Sequence, residues 1–415
     1  MINGADTAWL LTSGALVLFM TPGLALFYGG MVRAKSALNM MMMSFSAMGV
    51  VTIIWVLYGY SLAFGKDHGG LIGDLSHLGL GNTLNSLVGV EGHQVPTLAF
   101  AMFQLTFAIV TVALLSGAIA DRVKFSSWLF FVAAWITLVY IPVSHWVFAP
   151  GGWILSHLGA LDFAGGLVVE INSGASALAL ALVIGKRKGF KRDPMRPHNL
   201  PLVLLGAGIL WFGWFGFNGG SALTSGALAA TALINTQIAG AAAAMTWVAV
   251  EKIRDGRATT LGVASGAIAG LVAITPACGF VNPLGALAIG LISGSLSCWA
   301  VALKYRFNYD DSLDVVGVHG VSGLFGMLMI GLLATTTANE FGGDGLFMRG
   351  GTDLLQRQTI ASIVVALFSF IATIAIAKFI DKTFGFRSSS DDESTGLDQV
   401  YHAETAYDFS SISIR

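Results

Sequence analysis

The sequence predicts an all-α integral membrane protein of eleven transmembrane helices, on three observations. Of its 415 residues, 55% are hydrophobic and only 11% charged, with a mean hydropathy of +0.75; soluble domains carry about a quarter charged residues. Uncharged runs long enough to cross a bilayer core of ~30 Å as helices recur eleven times. Basic residues fall on alternate sides of those runs, with 19 of the 22 Lys and Arg on one side.

The first run, 8–30, follows "MINGADTAW", which lacks the basic stretch of a signal peptide, so it reads as a retained helix. The second and third, 38–64 and 96–119, flank a Gly-rich loop holding His68, His77 and His93, which lack metal-ligand spacing. The fourth, 126–149, and fifth, 162–185, precede the most basic loop, and the sixth to ninth lie at 200–221, 226–250, 261–279 and 283–303. The tenth and eleventh are 313–334 and 358–380; a transmembrane unit thus occupies 1–381 and a tail 382–415, whose "SSSDDEST" is polar enough to be mobile. An odd number of spans puts the termini on opposite sides. The segments 31–37, 120–125, 186–199, 251–260 and 304–312 and the C-terminal end hold the 19 basic residues, while Lys66, Arg349 and Arg357 lie opposite. The positive-inside rule then gives an external N-terminus and a cytoplasmic C-terminus. The 52 glycines, as in "GAGILWFGWFGFNGG", predict closely approaching helices, because burial against lipid gains little and backbone proximity must supply the contact.

Two echoes divide the chain. "LFMTPGLALFYGG" in the first run resembles "LWFGWFGFNGG" in the sixth, and "LDFAGGLVVEINSG" in the fifth resembles "LDVVGVHGVSG" in the tenth. Five spans separate each pair, so the halves, about 8–185 and 200–334, are expected to be inverted repeats with the last span left over. Entering from opposite faces, Glu170 lies ~12 Å below Asp162 and His319 ~8 Å below Asp314, which brings both titratable groups to mid-membrane. An ionisable group there costs at least ~2.5 kcal/mol against lipid, so it faces a cavity or a partner. Asp162 is better read as a helix cap than as a reactive group, and Asp314 holds the matching place in the second half. Phe103, Phe107, Trp146, Phe148, Trp214 and Phe217 are aromatics that could pack, attract a cation or close a pore.

Other classes are disfavoured. The formal net charge of -1 offers no basic surface for nucleic acid, and Cys278 and Cys298 lie in apolar runs as small core residues. No nucleophile, phosphate loop, cofactor motif or metal cluster points to an enzyme.

"DFAGG", "KRKGFKRDPMRPHNLPLV", "GWFGFNGGSA", "GAIAGLVAITPACG" and "DDSLDVVGVHGVSG" together resemble the ammonium transporter family of Amt, Mep and Rh proteins, most of all its bacterial Amt members; "GLDQVYHAETAYDF" resembles the family's tail segment. The resemblance implies ammonium recruited outside at Ser221, Phe107, Phe148, Trp146 and Asp162, a gate of Phe107 and Phe217, and passage as ammonia through an apolar pore. Phe103, Trp214, Ser265 and Thr275 match further pore-lining positions. It also implies a homotrimer in the cell membrane and a PII signalling protein as partner of the cytoplasmic loops and tail. Two positions depart from the pattern. Phe148 stands where many members have tryptophan, with Trp146 two residues before, and Glu170 stands in place of the first pore histidine, as in some fungal Mep proteins. The Glu170–His319 pair should titrate as one coupled unit and relay a proton. An ammonium sensor of the same fold is the alternative.

Overall fold

The computed structural model describes residues 1–407. The apolar helical segments are α1 (Gly4–Met31), α2 (Ala34–Phe64), α3 (Thr97–Ile119), α4 (Phe125–Phe148), α5 (Gly166–Ile184), α6 (Leu200–Gly220), α7 (Ala227–Asp255), α8 (Thr260–Ile274), α9 (Pro283–Phe307), α10 (Val316–Leu333) and α11 (Asp353–Thr383). Among the described residues, ten of these are long and apolar enough to span a bilayer, and α8 is the shorter one. The end of the bundle holding the N-terminus is termed the N-face, and the opposite end the tail face.

Each expected run contains a helix, with shifted ends that have local causes. The eighth run was expected to reach 279, but α8 stops at Ile274 because Pro276 has no amide hydrogen and the chain turns through Ala277 and Phe280. The fifth and tenth begin late, at Gly166 rather than 162 and at Val316 rather than 313, since the preceding residues form capped turns. Both open with a π-helical turn, Gly166–Ile171 in α5 and Val316–Gly320 in α10. Such turns recur at functional sites because the extra residue re-aims the side chains around it.

Glycine sets the packing. A Cβ on Gly206 of α6 would lie 2.3 Å from the backbone nitrogen of Phe27 in α1, so these two helices meet backbone to backbone. At the N-face two hairpins, Asp67–His68 with Ile72–Gly73 and Leu87–Val88 with Val95–Pro96, fold over the ends of the helices.

At the tail face buried charges tie the loops together. Arg187 binds Asp310 through two nitrogens at 2.8 and 2.9 Å, and fully buried Arg122 donates to Asp310 O, Ser312 Oγ and, at 2.9 Å, Ala118 O. Burial lowers the Arg122 guanidinium to about 10. The tail is folded where "SSSDDEST" stands. It forms α12 (Ser390–Thr395), which Ser389 and Asp392 close with a capping box, while Glu393 pairs with Arg387 at 2.6 Å. In α13 (Leu397–His402) the Asp398 carboxylate accepts from the amides of Leu38 and Asn39, at 3.0 and 2.7 Å, at the start of α2. The expected tail residues beyond 407 lie outside the described residues.

Candidate functional site

Phe100, Phe103, Gln104 and Phe107 recur at i, i+3, i+4 and i+7 on α3, so one helical face turns four side chains toward the same space. That space is a chamber of about 310 Å³ opening at the N-face, closed elsewhere by Phe148, Phe163, Ser221 and the hairpin residue His93. Ser221 Oγ donates to Phe217 O at 2.8 Å, which leaves its lone pairs free to accept. At the chamber floor Phe107 and Phe217 stack with centroids 4.2 Å apart and planes at 34°; each ring is 1% exposed. Phe103 meets Phe107 edge-on at 4.9 Å.

Beneath the rings lies a compartment of about 10 Å³, the room one water-sized molecule needs. Leu24, Phe27, Val110, Leu114 and Leu210 make it apolar; Trp214, Glu170 and His319 also reach it. His319 Nδ1 lies 2.7 Å from Glu170 Oε2, and both residues are buried, as the cost of a mid-membrane charge requires. Glu170 Oε1 has no hydrogen-bond partner among the described residues. His319 also lines a second compartment of about 10 Å³ toward the tail face, with Tyr28, Ser265, Ile268 and Leu313. The histidine therefore touches both compartments and the glutamate only the upper one.

The pair meets because α5 and α10 cross through glycine. A Cβ on Gly174 would fall 2.1 Å from Gly320 Cα, and one on Gly323 would fall 2.6 Å from Glu170 Cβ. Each of these glycines stands four residues after the titratable side chain of its own helix, so each presents a flat surface where the other helix carries its acid or base.

Several expected positions are relocated. Asp162 does not line the chamber: its carboxylate accepts from the amides of Gly165, Gly166 and Leu167 at 2.7–2.8 Å, and Gly165 makes that turn at φ +120°. Its counterpart in the second half is Asp311, not Asp314. Asp311 Oδ2 accepts from Val316 five residues on at 2.7 Å, as Asp162 does from Leu167, and it stands eight residues before His319, as Asp162 does before Glu170. Asp314 instead pairs with Lys304 at 2.6 Å. Trp146 turns away from the chamber, donating to Leu71 O at 2.8 Å and packing on Phe368, so it does not stand in for Phe148. Thr275 lines neither compartment; its hydroxyl donates to Leu271 O and accepts from Trp214 Nε1 at 2.7 Å, fixing that indole. Phe100, Gln104, Phe163 and His93 were missed. The first two share the helical face of Phe103 and Phe107, which the periodicity already carried; the other two come from loops.

Residues 8–407 match the model of the Ammonium Transporter Family. An ammonium transporter of Mycobacterium tuberculosis is 52% identical, covering 99% of this chain and 92% of that protein. One of Bacillus subtilis is 48% identical, covering 97% of this chain and 98% of that protein. The crystal structure of Saccharomyces cerevisiae Mep2 superposes with a TM-score of 0.88 at 33% identity, covering all of this chain and 93% of the other. With the matched residues running from the first span into the tail, the chain belongs to the ammonium transporter family.

Proposed function

We propose that this multi-pass membrane protein recruits ammonium in the chamber, with the N-face outside, strips its proton at Glu170 and His319, and releases ammonia toward the tail face. The observation that carries the reading is the 2.7 Å Glu170–His319 contact directly below the stacked rings, in a lumen too small for a hydrated ion. Aromatic faces at Phe103, Phe107 and Phe148 attract a cation by about 0.5–2 kcal/mol, and Ser221 offers an acceptor. Past the rings an intact ammonium would lose its water shell to an apolar wall, whereas ammonia is the size of the space. The ammonium proton passes to the Glu170 carboxylate, whose Oε1 is unpartnered; turned onto Oε2, it crosses the short contact to an Nδ1 that carries no hydrogen, and the ring gives up its Nε2 proton in exchange. His319 touches the lower compartment, so it is the group placed to pass the proton on. Transport is then electrogenic, because proton and ammonia both cross.

The two five-helix halves act as inverted repeats around this pair, supported by the matched spacing of Asp162 with Glu170 and Asp311 with His319. Three such subunits assemble with one pore each, and a PII-type protein docks on the loops and tail at the tail face.

Ammonium-evoked current in proteoliposomes tests the mechanism. Glu170→Gln should lower it by about 100-fold, the typical worth of a positioned proton acceptor. Unchanged current per ammonium moved would remove the relay role. Uptake of labelled methylammonium by cells lacking other ammonium carriers separates transport from sensing.

A further inference from the structure

Histidine 93 had no role in the sequence, yet it is a titratable side chain on the wall of the entry chamber. It sits in the turn between Leu87–Val88 and Val95–Pro96, and its amide donates to Val90 O at 3.0 Å. Its ring nitrogen Nδ1 lies 2.8 Å from Asp6 Oδ2. Asp6, 2% exposed at the start of α1, also takes the Ser225 amide at 2.8 Å and the Ser225 hydroxyl at 3.0 Å on its other oxygen. One buried carboxylate thus joins α1, the hairpin and the loop that carries Ser221.

A carboxylate holding donors on both oxygens is an acceptor, so it selects the Nδ1–H form of the ring and leaves the lone pair on Nε2. The imidazole is 52% exposed and lines the chamber with Phe100, Phe103, Phe107 and Ser221. Rings supply attraction for a cation but no directed acceptor, and Asp162 is committed to three amides. Ser221, His93 and Gln104, whose buried Oε1 has no hydrogen-bond partner among the described residues, are therefore side-chain acceptors that four N–H groups can find there.

We propose that His93, oriented by Asp6, is a recruitment residue at which external protons compete with ammonium: the neutral ring accepts from the substrate, and the imidazolium repels it. This rests on the transport reading above. The titratable groups around the ring are Asp6 from α1, Glu91 in the same turn, and the amine of Met1, which donates to Gln94 Oε1 at 2.9 Å. From α2 comes Tyr60 across the chamber, with His77 of the following loop packed on it. No titratable side chain of α3 faces the chamber, and the loop after α6 brings the Ser225 hydroxyl.

The test is the KM for external ammonium, from initial currents of the full-length protein in proteoliposomes of fixed internal pH, at external pH of about 7.5 and about 5.5, the range in which imidazoles titrate. Wild type should show a KM about fivefold higher at the acid value, the effect of one like charge in a partly hydrated mouth, with the maximal rate moving less. His93→Gln keeps an acceptor that does not titrate, so its KM should change less than about twofold. His93→Lys carries a fixed charge and should show the acid KM at both pH values. The same pH dependence of KM in wild type and His93→Gln overturns the proposal, as does a His93→Lys KM equal to that of wild type near neutrality. If wild type gives neither current nor methylammonium uptake, the transport reading itself fails and this inference falls with it.

Discussion

The crossing segments α5 and α10 use one backbone plan with two chemical outcomes. In α5 the acid before the π-helical turn, Asp162, accepts three amides and both its oxygens are occupied. In α10 the equivalent acid, Asp311, accepts from Val316 on one oxygen, and the other has no partner among the described residues. Eight residues on, the first crossing presents a carboxylate and the second an imidazole. The same turn can thus be closed by a saturated acid at one face and a half-satisfied one at the other. What the two share is the glycine four residues further on, which lets the helices touch.

The comparison breaks most severely at Gly174. Its added Cβ would meet backbone 2.1 Å away, which cannot yield without separating the helices. Gly174→Ala should cost about 3 kcal/mol or more, seen as lost folded protein in gel filtration and a lowered melting temperature. Gly323→Ala meets a side-chain carbon at 2.6 Å and should cost less. Equal melting of both variants with wild type would mean the crossing is looser than it looks.

Removing the caps separates the saturated acid from the other. Asp162→Ala orphans three amides and should cost about 2 kcal/mol, the upper end for a lost cap, read as a lower melting temperature. Asp311 differs in sign with pH. Burial pushes its carboxyl up to about 6. The folded protein holds that proton more tightly than the unfolded chain, so ionisation lowers stability as pH rises from about 4 through about 6. Asp311→Asn cannot ionise, and its melting temperature relative to wild type should rise across that window. A difference independent of pH would remove Asp311 as a titrating group.

The smallest effect belongs to the chamber above α5. Phe148→Trp should lower the KM for ammonium about threefold by strengthening a cation–π face, whereas Trp146→Phe should leave it unchanged, because Trp146 is not in the chamber. A KM that responds to Trp146 and not to Phe148 would reverse their assignment.

Periodicity and charge in the sequence located the ten segments long enough to span a bilayer and the shorter α8, since a bilayer-length apolar run has few alternatives. It also paired Glu170 with His319 through the echo between the fifth and tenth runs. The echo misaligned Asp162 with Asp314, because both precede an apolar residue after leucine; only the turn geometry, with Asp314 at φ +66° and bound to Lys304, assigns the cap to Asp311. The direction of Trp146 was not legible, for a residue near a helix end can face lipid, neighbour or chamber with equal local propensity. The fold of "SSSDDEST" was partly legible: serine three residues before aspartate is a helix-start signal, outweighed by the polarity of the stretch.

The contact between Asp398 and the start of α2 has a bearing on how the chain is completed. No side chain of its own caps the α-helical part of that second crossing at Ser36; the acceptors for Leu38 and Asn39 come from about 360 residues later. During synthesis the amides of Leu38 and Asn39 therefore lack this carboxylate until Asp398 has been made. A chain cut short after α11 would hold all the apolar segments described above and still lack the closure of an early one, so a stretch of the tail completes the second helix.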